Sequence, residues 1–262
     1  MTLRFAKYHG LGNDFVVVDG PLVEPERARR VCDRRRGVGA DGLLTVLPPR
    51  VAGAVARMHL YNSDGSVAET SGNGIRCFAR HLAETRGAAG EMVIETGAGP
   101  KRCTVERGGA GEVVAVSVEM GAARVEGEEV FEVAGERLRA VRVDMGNPHA
   151  VLFDLPTVER ARAVGPSLEA AVPGGVNVGF ARPGPTGIDL VVWERGAGLT
   201  GACGTGACAA VAAAVRRGEA RAGVPVEVRQ PGGALAVTVS EDLGRVVLRG
   251  PAVRVLTGEA DL

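Results

Sequence analysis

The chain predicts an α+β protein of two pseudo-symmetric domains, and three observations carry that prediction. A short motif occurs twice: Ser71-Gly72-Asn73-Gly74 opens an apolar run over 75–82, and Cys203-Gly204-Thr205-Gly206 opens another over 207–215. Each copy follows a strand-like stretch, Met58-His59-Leu60-Tyr61 or Leu190-Val191-Val192-Trp193, and Ser71 stands nine positions after Asn62 as Cys203 stands nine after Glu194. Strand-like stretches also dominate, with one long central helix in each half, too few helices for a doubly wound parallel fold.

The elements follow in order. Residues 15–18 read as a buried strand after the turn His9-Gly10-Leu11-Gly12. Residues 25–36 read as a helix with Pro25 in its first position, ended by Gly37. Residues 51–61 read as a strand, and 71–86 as a helix stopped by Gly87. Short strands at 92–95, 102–106 and 113–118 alternate with glycine turns. The order then repeats: strands at 139–144 and 151–153, a helix from Val158, a strand at 189–193, the helix after Cys203, and strands at 226–229, 235–240 and 245–248. The Gly-rich stretch 108–111 and the strand after it put a boundary near residue 117. An N-terminal domain of 1–117 and a C-terminal domain of 118–250 result.

Composition narrows the function classes. With 262 residues, 45% hydrophobic, the chain can bury two cores, and its formal net charge of zero gives no electrostatic pull toward nucleic acid or an anionic membrane. No apolar run approaches the roughly 18 residues of a membrane span, and the first residues do not read as a signal peptide. Five cysteines without a framework pattern point to reduced thiols and a cytoplasmic location. The four histidines are scattered and C-x-x-C is absent, so no metal site is expected. Lys7 and Lys101 are the only lysines, and neither sits in a cofactor-like loop, which argues against pyridoxal phosphate. The glycine motifs lack the G-K-[S/T] of a Walker loop and the G-x-G-x-x-G of a dinucleotide site. The expected partner is a small-molecule amino-acid substrate, with no cofactor; a homodimer is allowed.

The repeated helix starts are the candidate site. Each offers backbone N–H groups and a positive dipole end suited to a carboxylate. Cys203, just before its helix, is expected to have a lowered pKa and an accessible thiolate able to take and return a proton. His149, after Gly146-Asn147-Pro148, is placed to orient or tune a thiol. Glu194 and Arg195 suit an ammonium and a carboxylate. Asn13, Asn62, Asn73, Asn147 and Asn177 stand beside glycines or at strand ends; each alone reads as a turn former, and together as a hydrogen-bonding cage for a zwitterion. Asp41 reads as a structural turn residue.

These residues resemble the diaminopimelate epimerase family over nearly the whole chain. The resemblance rests on Lys7-Tyr8-His9-Gly10-Leu11-Gly12-Asn13-Asp14-Phe15, on 37–43, and on Asn62-Ser63-Asp64-Gly65-Ser66-Val67-Ala68-Glu69 running into Gly72-Asn73-Gly74-Ile75-Arg76-Cys77. It is completed by Gly146-Asn147-Pro148-His149, Asn177, and Glu194-Arg195-Gly196-Ala197-Gly198 leading into 202–208. It implies two similar α+β domains, each with antiparallel sheets around a central helix, a cleft between them, and a C-terminal strand at about 251–262 returning to the first. It further implies a cofactor-independent isomerase of lysine and peptidoglycan-precursor synthesis. In such an enzyme two cysteines face each other across the substrate α-carbon, one taking the proton and the other donating. Gly72, Asn73, Gly204 and Thr205 would then hold the reacting carboxylate, and Asn62, Asn177, Glu194 and Arg195 the distal end.

The chain departs from the family pattern twice: the first cysteine falls on Ser71, and a family-typical glutamate falls on Leu199. Three origins are open for the serine: an engineered exchange, a natural epimerase using Ser71 or a water it holds, or a divergent paralogue. The last would be a related amino-acid racemase, a one-base dehydratase or a silent amino-acid-binding protein.

Overall fold

The structure, a computed structural model, describes residues 2–69, 71–88 and 90–261. The chain divides into two compact units, Met1–Val118 with Gly250–Leu262, and Glu119–Arg249.

In the first unit β1 (Thr2–Gly10) and β2 (Asn13–Asp19) form a hairpin. Its turn residues Leu11 and Gly12 both have positive φ (56° and 86°), the geometry that matches strand twist in two-residue loops. After α1 (Pro25–Cys32), β3 (Gly42–Leu47) lies parallel to β2, and β4 (Ala56–Asn62) returns antiparallel to β3. The two-residue β5 (Val67–Ala68) pairs with β4. After α2 (Gly72–Thr85), β6 (Gly90–Thr96) is parallel to β4, and β7 (Gly99–Arg107) and β8 (Val113–Gly121) follow antiparallel.

The second unit repeats this plan. Strands β9 (Arg124–Val133), β10 (Glu136–Asp144) and β11 (Pro148–Leu152) are successively antiparallel. After α3 (Val158–Ala171), β12 (Asn177–Gly184) is parallel to β11, and β13 (Gly187–Glu194) antiparallel to β12. The short β14 (Gly198–Leu199) pairs with β13. After α4 (Gly204–Arg216), β15 (Val226–Gln230) is parallel to β13; β16 (Gly233–Val239) and β17 (Val246–Gly250) follow antiparallel. The last strand, β18 (Val253–Asp261), pairs antiparallel with β1. The strand order β18-β1-β2-β3-β4-β6-β7-β8 in one unit therefore matches β9-β10-β11-β12-β13-β15-β16-β17 in the other, pair direction by pair direction. Each unit is antiparallel except at its two helical crossovers, which parallel neighbours require.

Local chemistry explains the helices. In α4 alanines at 207, 209, 210, 212, 213 and 214 are all buried, so the helix is apolar all round and accepts packing on every side; alanine also has the highest helix propensity. α2 buries Ile75, Cys77, Phe78 and Leu82, and with them Arg76. That guanidinium is satisfied by Gly72 O (2.8 Å), Asn73 Oδ1 (2.7 Å) and Pro251 O (3.2 Å). The outer helices seal the other sheet faces: α1 packs Ala28 and Val31 with Val16, Val18 and Leu43, and α3 packs Ala161, Val164 and Leu168 with Val178, Phe180 and Val191.

Several sequence expectations change. The helix expected over 25–36 stops at Cys32, because Asp33 Oδ1 accepts from the N–H groups of Arg35 (2.7 Å) and Arg36 (2.9 Å), an alternative to continuing the helix. The strand expected from 51 begins at Ala56; the N–H groups of Arg50 and Val51 bond to Glu95 instead. β1, β3, β9 and β12 had no counterpart in the sequence reading. Leu262, the last residue of the expected terminal strand, lies outside the described residues.

Candidate active site

Each unit presents a side-chain-capped helix start, and the two are built alike. Ser71 is the N-cap of α2, in extended conformation (φ −145°, ψ 127°), and its Oγ accepts from Gly74 N at 3.1 Å. Cys203 is the N-cap of α4 (φ −114°, ψ 113°), and its Sγ accepts from Gly206 N at 3.4 Å. The x-G-x-G motif is thus an N-cap followed by two residues small enough for a tight first turn. A Cβ on Gly74 would sit 3.1 Å from the Ser71 side chain, and one on Gly206 3.2 Å from Cys203 Sγ.

In the second unit a hydrogen-bond chain reaches the sulfur. Asn147 Nδ2 donates to Thr205 Oγ1 (3.4 Å), so Asn147 Oδ1 faces His149 Nε2 (3.1 Å) as acceptor. His149 therefore carries its proton on Nε2. Thr205 Oγ1 also lies 3.6 Å from Cys203 Sγ, where either the hydroxyl or the thiol can donate. His149 is buried and neutral: burial, helped by the charge of Arg195, pulls its pKa down to about 3. Asn147 and Thr205 connect it to the thiol.

The thiol itself corrects an expectation. Cys203 is only 4% exposed. Burial first, then the neighbouring Glu194 carboxylate, push its pKa well above the usual thiol value, against hydrogen bonds from Thr205 and Gly206. The resting group is a protected neutral thiol, where the sequence suggested an accessible thiolate: helix-start position alone is outweighed by desolvation. Burial also raises Cys32, Cys77 and Cys103, each to about 12. All five cysteines are unbridged.

Glu194, half-buried, accepts from Thr200 Oγ1 at 2.5 Å. Arg195 is exposed; its backbone N–H bonds to Asn177 Oδ1 (3.0 Å) and its Nη1 to Gly174 O (3.2 Å). Asn177 Nδ2 donates to Pro148 O (2.9 Å), so both ends of this amide tie the Glu194-Arg195 corner to the start of β11, which carries His149. Glu169 steadies the same corner, accepting from Trp193 Nε1 (2.7 Å) and Gly196 N (2.8 Å).

The first unit has the matching frame with different chemistry. Asn73 Nδ2 donates to Asn13 Oδ1 (3.2 Å), as Thr205 meets Asn147 in the second unit. Asn13 Nδ2 donates to Asp41 Oδ2 (2.8 Å), and Arg34 ties Asp41 to Asp14. Asp41 thus anchors Asn13 through a long-range contact, a role its turn-like sequence hid. Asn62, exposed, donates to Ser66 Oγ (3.0 Å). Gly72, Asn73, Gly204 and Thr205 form the first turns of their helices.

Glu169, Gln230 and Thr200 were missed by the sequence reading. Gln230 Oε1 accepts from Cys203 N at 2.8 Å, and Thr200 holds Glu194. Gln230 stands in Gln230-Pro231-Gly232-Gly233, which reads as a turn; nothing local signals a bond across 27 residues. Among the described residues no cluster of His, Cys, Asp or Glu could hold a metal ion, and no helix is long and apolar enough to cross a membrane.

Comparison with known proteins bears on this frame. A family model described as diaminopimelate epimerase matches residues 5–126 and 141–259. The diaminopimelate epimerase of Desulforudis audaxviator (strain MP104C) is 44% identical, over 98% of this chain and 99% of that protein. That of Gloeothece citriformis (strain PCC 7424) is 40% identical, over 98% and 99%. Among solved structures, a probable proline racemase from Agrobacterium radiobacter K84 superposes with a TM-score of 0.80, at 19% identity, over 99% of this chain and 92% of that one. That likeness establishes the fold: α+β, sheet-dominated, with few helices.

Proposed function

The chain belongs to the diaminopimelate epimerase family, and from that membership we propose how it interconverts LL- and meso-diaminopimelate, as a pyridoxal-independent isomerase working by proton transfer at two faces of the α-carbon. The observation that carries the residue assignment is the pair of N-capped helix starts, with Cys203 on one and Ser71 on the other.

Cys203 is the principal acid and base. At rest it holds its proton, because burial and Glu194 favour the neutral form. A substrate ammonium paired with Glu194 cancels part of that carboxylate's charge, and Thr205 and Gly206 are already aimed at the sulfur to stabilise the thiolate. Substrate binding thereby lowers the cost of deprotonation at the moment the base is needed. The N–H groups of Gly72, Asn73, Gly204 and Thr205 receive the reacting carboxylate and the charge that develops on it. Asn13 and Asn147 brace those first turns through Asn73 and Thr205. Asn62, Asn177, Glu194 and Arg195 hold the distal amino-acid end, Arg195 contributing a bidentate fork, and His149 fixes the Asn147–Thr205 chain.

Ser71, or a water it holds, serves the opposite face. A serine hydroxyl is far less acidic than a thiol, so its proton transfer is the slower one, and microscopic reversibility makes it slower in both directions. Five reduced thiols support a cytoplasmic location.

The test is deuterium incorporation in heavy water with LL- and meso-diaminopimelate. Label should enter the α-position with inversion. Cys203→Ala should reduce exchange and inversion by at least about 100-fold, the lower end of what a positioned acid/base contributes. Ser71→Cys should raise epimerisation by at least about tenfold for the same reason. Elimination, or label without inversion, would identify a one-base enzyme; binding with neither would identify a silent paralogue.

A further inference from the structure

We propose that Gln230 is a positioning residue for the Cys203 thiol, holding the N-cap of α4 in the one conformation that presents the sulfur to its donors. The inference rests on the epimerase reading only for what the thiol does, and on geometry for the hold itself. Gln230 is the last residue of β15, 8% exposed, and its Oε1 accepts from Cys203 N at 2.8 Å. The first N–H groups of a helix have no partner within it, and the N-cap's own N–H lies outside the helical ladder as well. Here that N–H is buried with the residue, and the side chain of a neighbouring strand satisfies it.

Comparison of the two units makes the hold specific. Gln230 opposes Gly233 across the β15–β16 turn, and Thr96 opposes Gly99 across the equivalent β6–β7 turn. Thr96 is likewise buried, but its hydroxyl bonds locally to Gly99 O at 2.6 Å. The same register position therefore carries a short, locally satisfied side chain in the serine-bearing unit and a long reaching amide in the thiol-bearing unit.

The arrangement has a cost that argues for its use. Gln230 Nε2 is buried without a hydrogen-bond partner among the described residues. An apolar side chain of similar size would fill the space without an idle amide N–H group. The amide is retained for its oxygen, which fixes Cys203 N. Through the N-cap dihedrals it fixes where Sγ meets Gly206 N–H and the Thr205 hydroxyl.

Two measurements on the full chain test this. The first is the rate of Cys203 alkylation by iodoacetamide against pH, located by peptide mass spectrometry, which needs no substrate. The second is steady-state epimerisation of LL-diaminopimelate. In Gln230→Leu the sulfur should lose its fixed donors, moving the alkylation midpoint up by at least about half a pH unit. In the same variant kcat should fall at least about tenfold with KM held within about threefold. Gln230→Glu keeps an acceptor oxygen in place and should recover kcat relative to Gln230→Leu. Thr96→Val should leave both readouts within about twofold. An unchanged alkylation profile in Gln230→Leu, a loss confined to KM, or Gln230→Glu as impaired as Gln230→Leu would each overturn the proposal. If Gln230→Leu does not fold, Gln230→Met against Gln230→Glu makes the same comparison of acceptor against none. A shifted alkylation profile in a chain that epimerises nothing would leave the hold standing and remove the epimerase reading.

Discussion

At the residue scale opposing influences meet on one sulfur. Glu194 raises the Cys203 pKa by its charge and by hydrogen bonding, second only to burial. Glu194→Gln removes the charge, so Cys203 should become alkylated at lower pH than in the parent, while substrate binding weakens. An alkylation profile that stays put or moves up would show that Glu194 does not act on the thiol. His149 gives a second, stability-based readout. Its folded pKa is lowered to about 3 from an ordinary value near 6.5. Between those values the unfolded chain binds a proton that the folded one refuses, so stability is complete above about pH 6.5 and is lost as pH falls toward 3, by up to about 1.4 kcal/mol per unit. His149→Gln should flatten that slope in urea titrations at pH 4 to 7; an unaltered slope would mean that the imidazole is not buried neutral. Ser71 and Cys203 were legible in sequence because the repeated motif exposed them, and Asn13 and Asn147 because each stands beside a glycine. Gln230 and Thr200 were not, since their roles are long-range bonds with no local pattern. The direction of the thiol shift was misread because burial cannot be seen in a motif.

At the element scale the packing of α3 on β13 turns on one glycine. A Cβ at Gly165 would lie 2.5 Å from Trp193 Cγ and 2.7 Å from its Cβ, the rigid base of the ring. Gly165→Ala should therefore destabilise by about 1–3 kcal/mol, although alanine is the better helix former. Because Trp193 precedes Glu194 and donates to Glu169, KM should rise with it. Equal or higher Tm in the variant would show that α3 can slide away from the ring. Elements opened by the repeated motif were legible, as α2 and α4 were from their x-G-x-G starts and the apolar runs after them. β3 was not, because all six of its residues are buried and alternation is absent. β9 was hidden by its exposed acidic surface; cross-strand pairs Arg139–Glu128 and Arg142–Glu129 hold it to β10. In β12 the glycines and Pro183 mask a strand whose buried half is Asn177–Ala181.

At the scale of the whole molecule the two units share one wiring diagram, yet they are not equally continuous in the chain. The second unit takes its first strand, β9, from the residues just before β10; the first unit takes the corresponding strand, β18, from the far end. The buried Arg76 and the neighbouring Arg80 depend on that same tail, bonding to Pro251 O (3.2 Å) and Ala252 O (2.5 Å). A chain ending at Arg249 should lose the thermal transition of the first unit, and a synthetic 250–261 peptide should restore it. Retention of that transition in the shortened chain would show that the tail is dispensable for that unit. On the ribosome this wiring sets a clock. At about 5–20 residues per second, the edge of β1 waits roughly 12–50 seconds for its partner, while the whole of the second unit is made and can close. For that interval β1 is an open strand edge, the kind that invites pairing with other nascent chains. The first half to be synthesised is therefore the last to be finished.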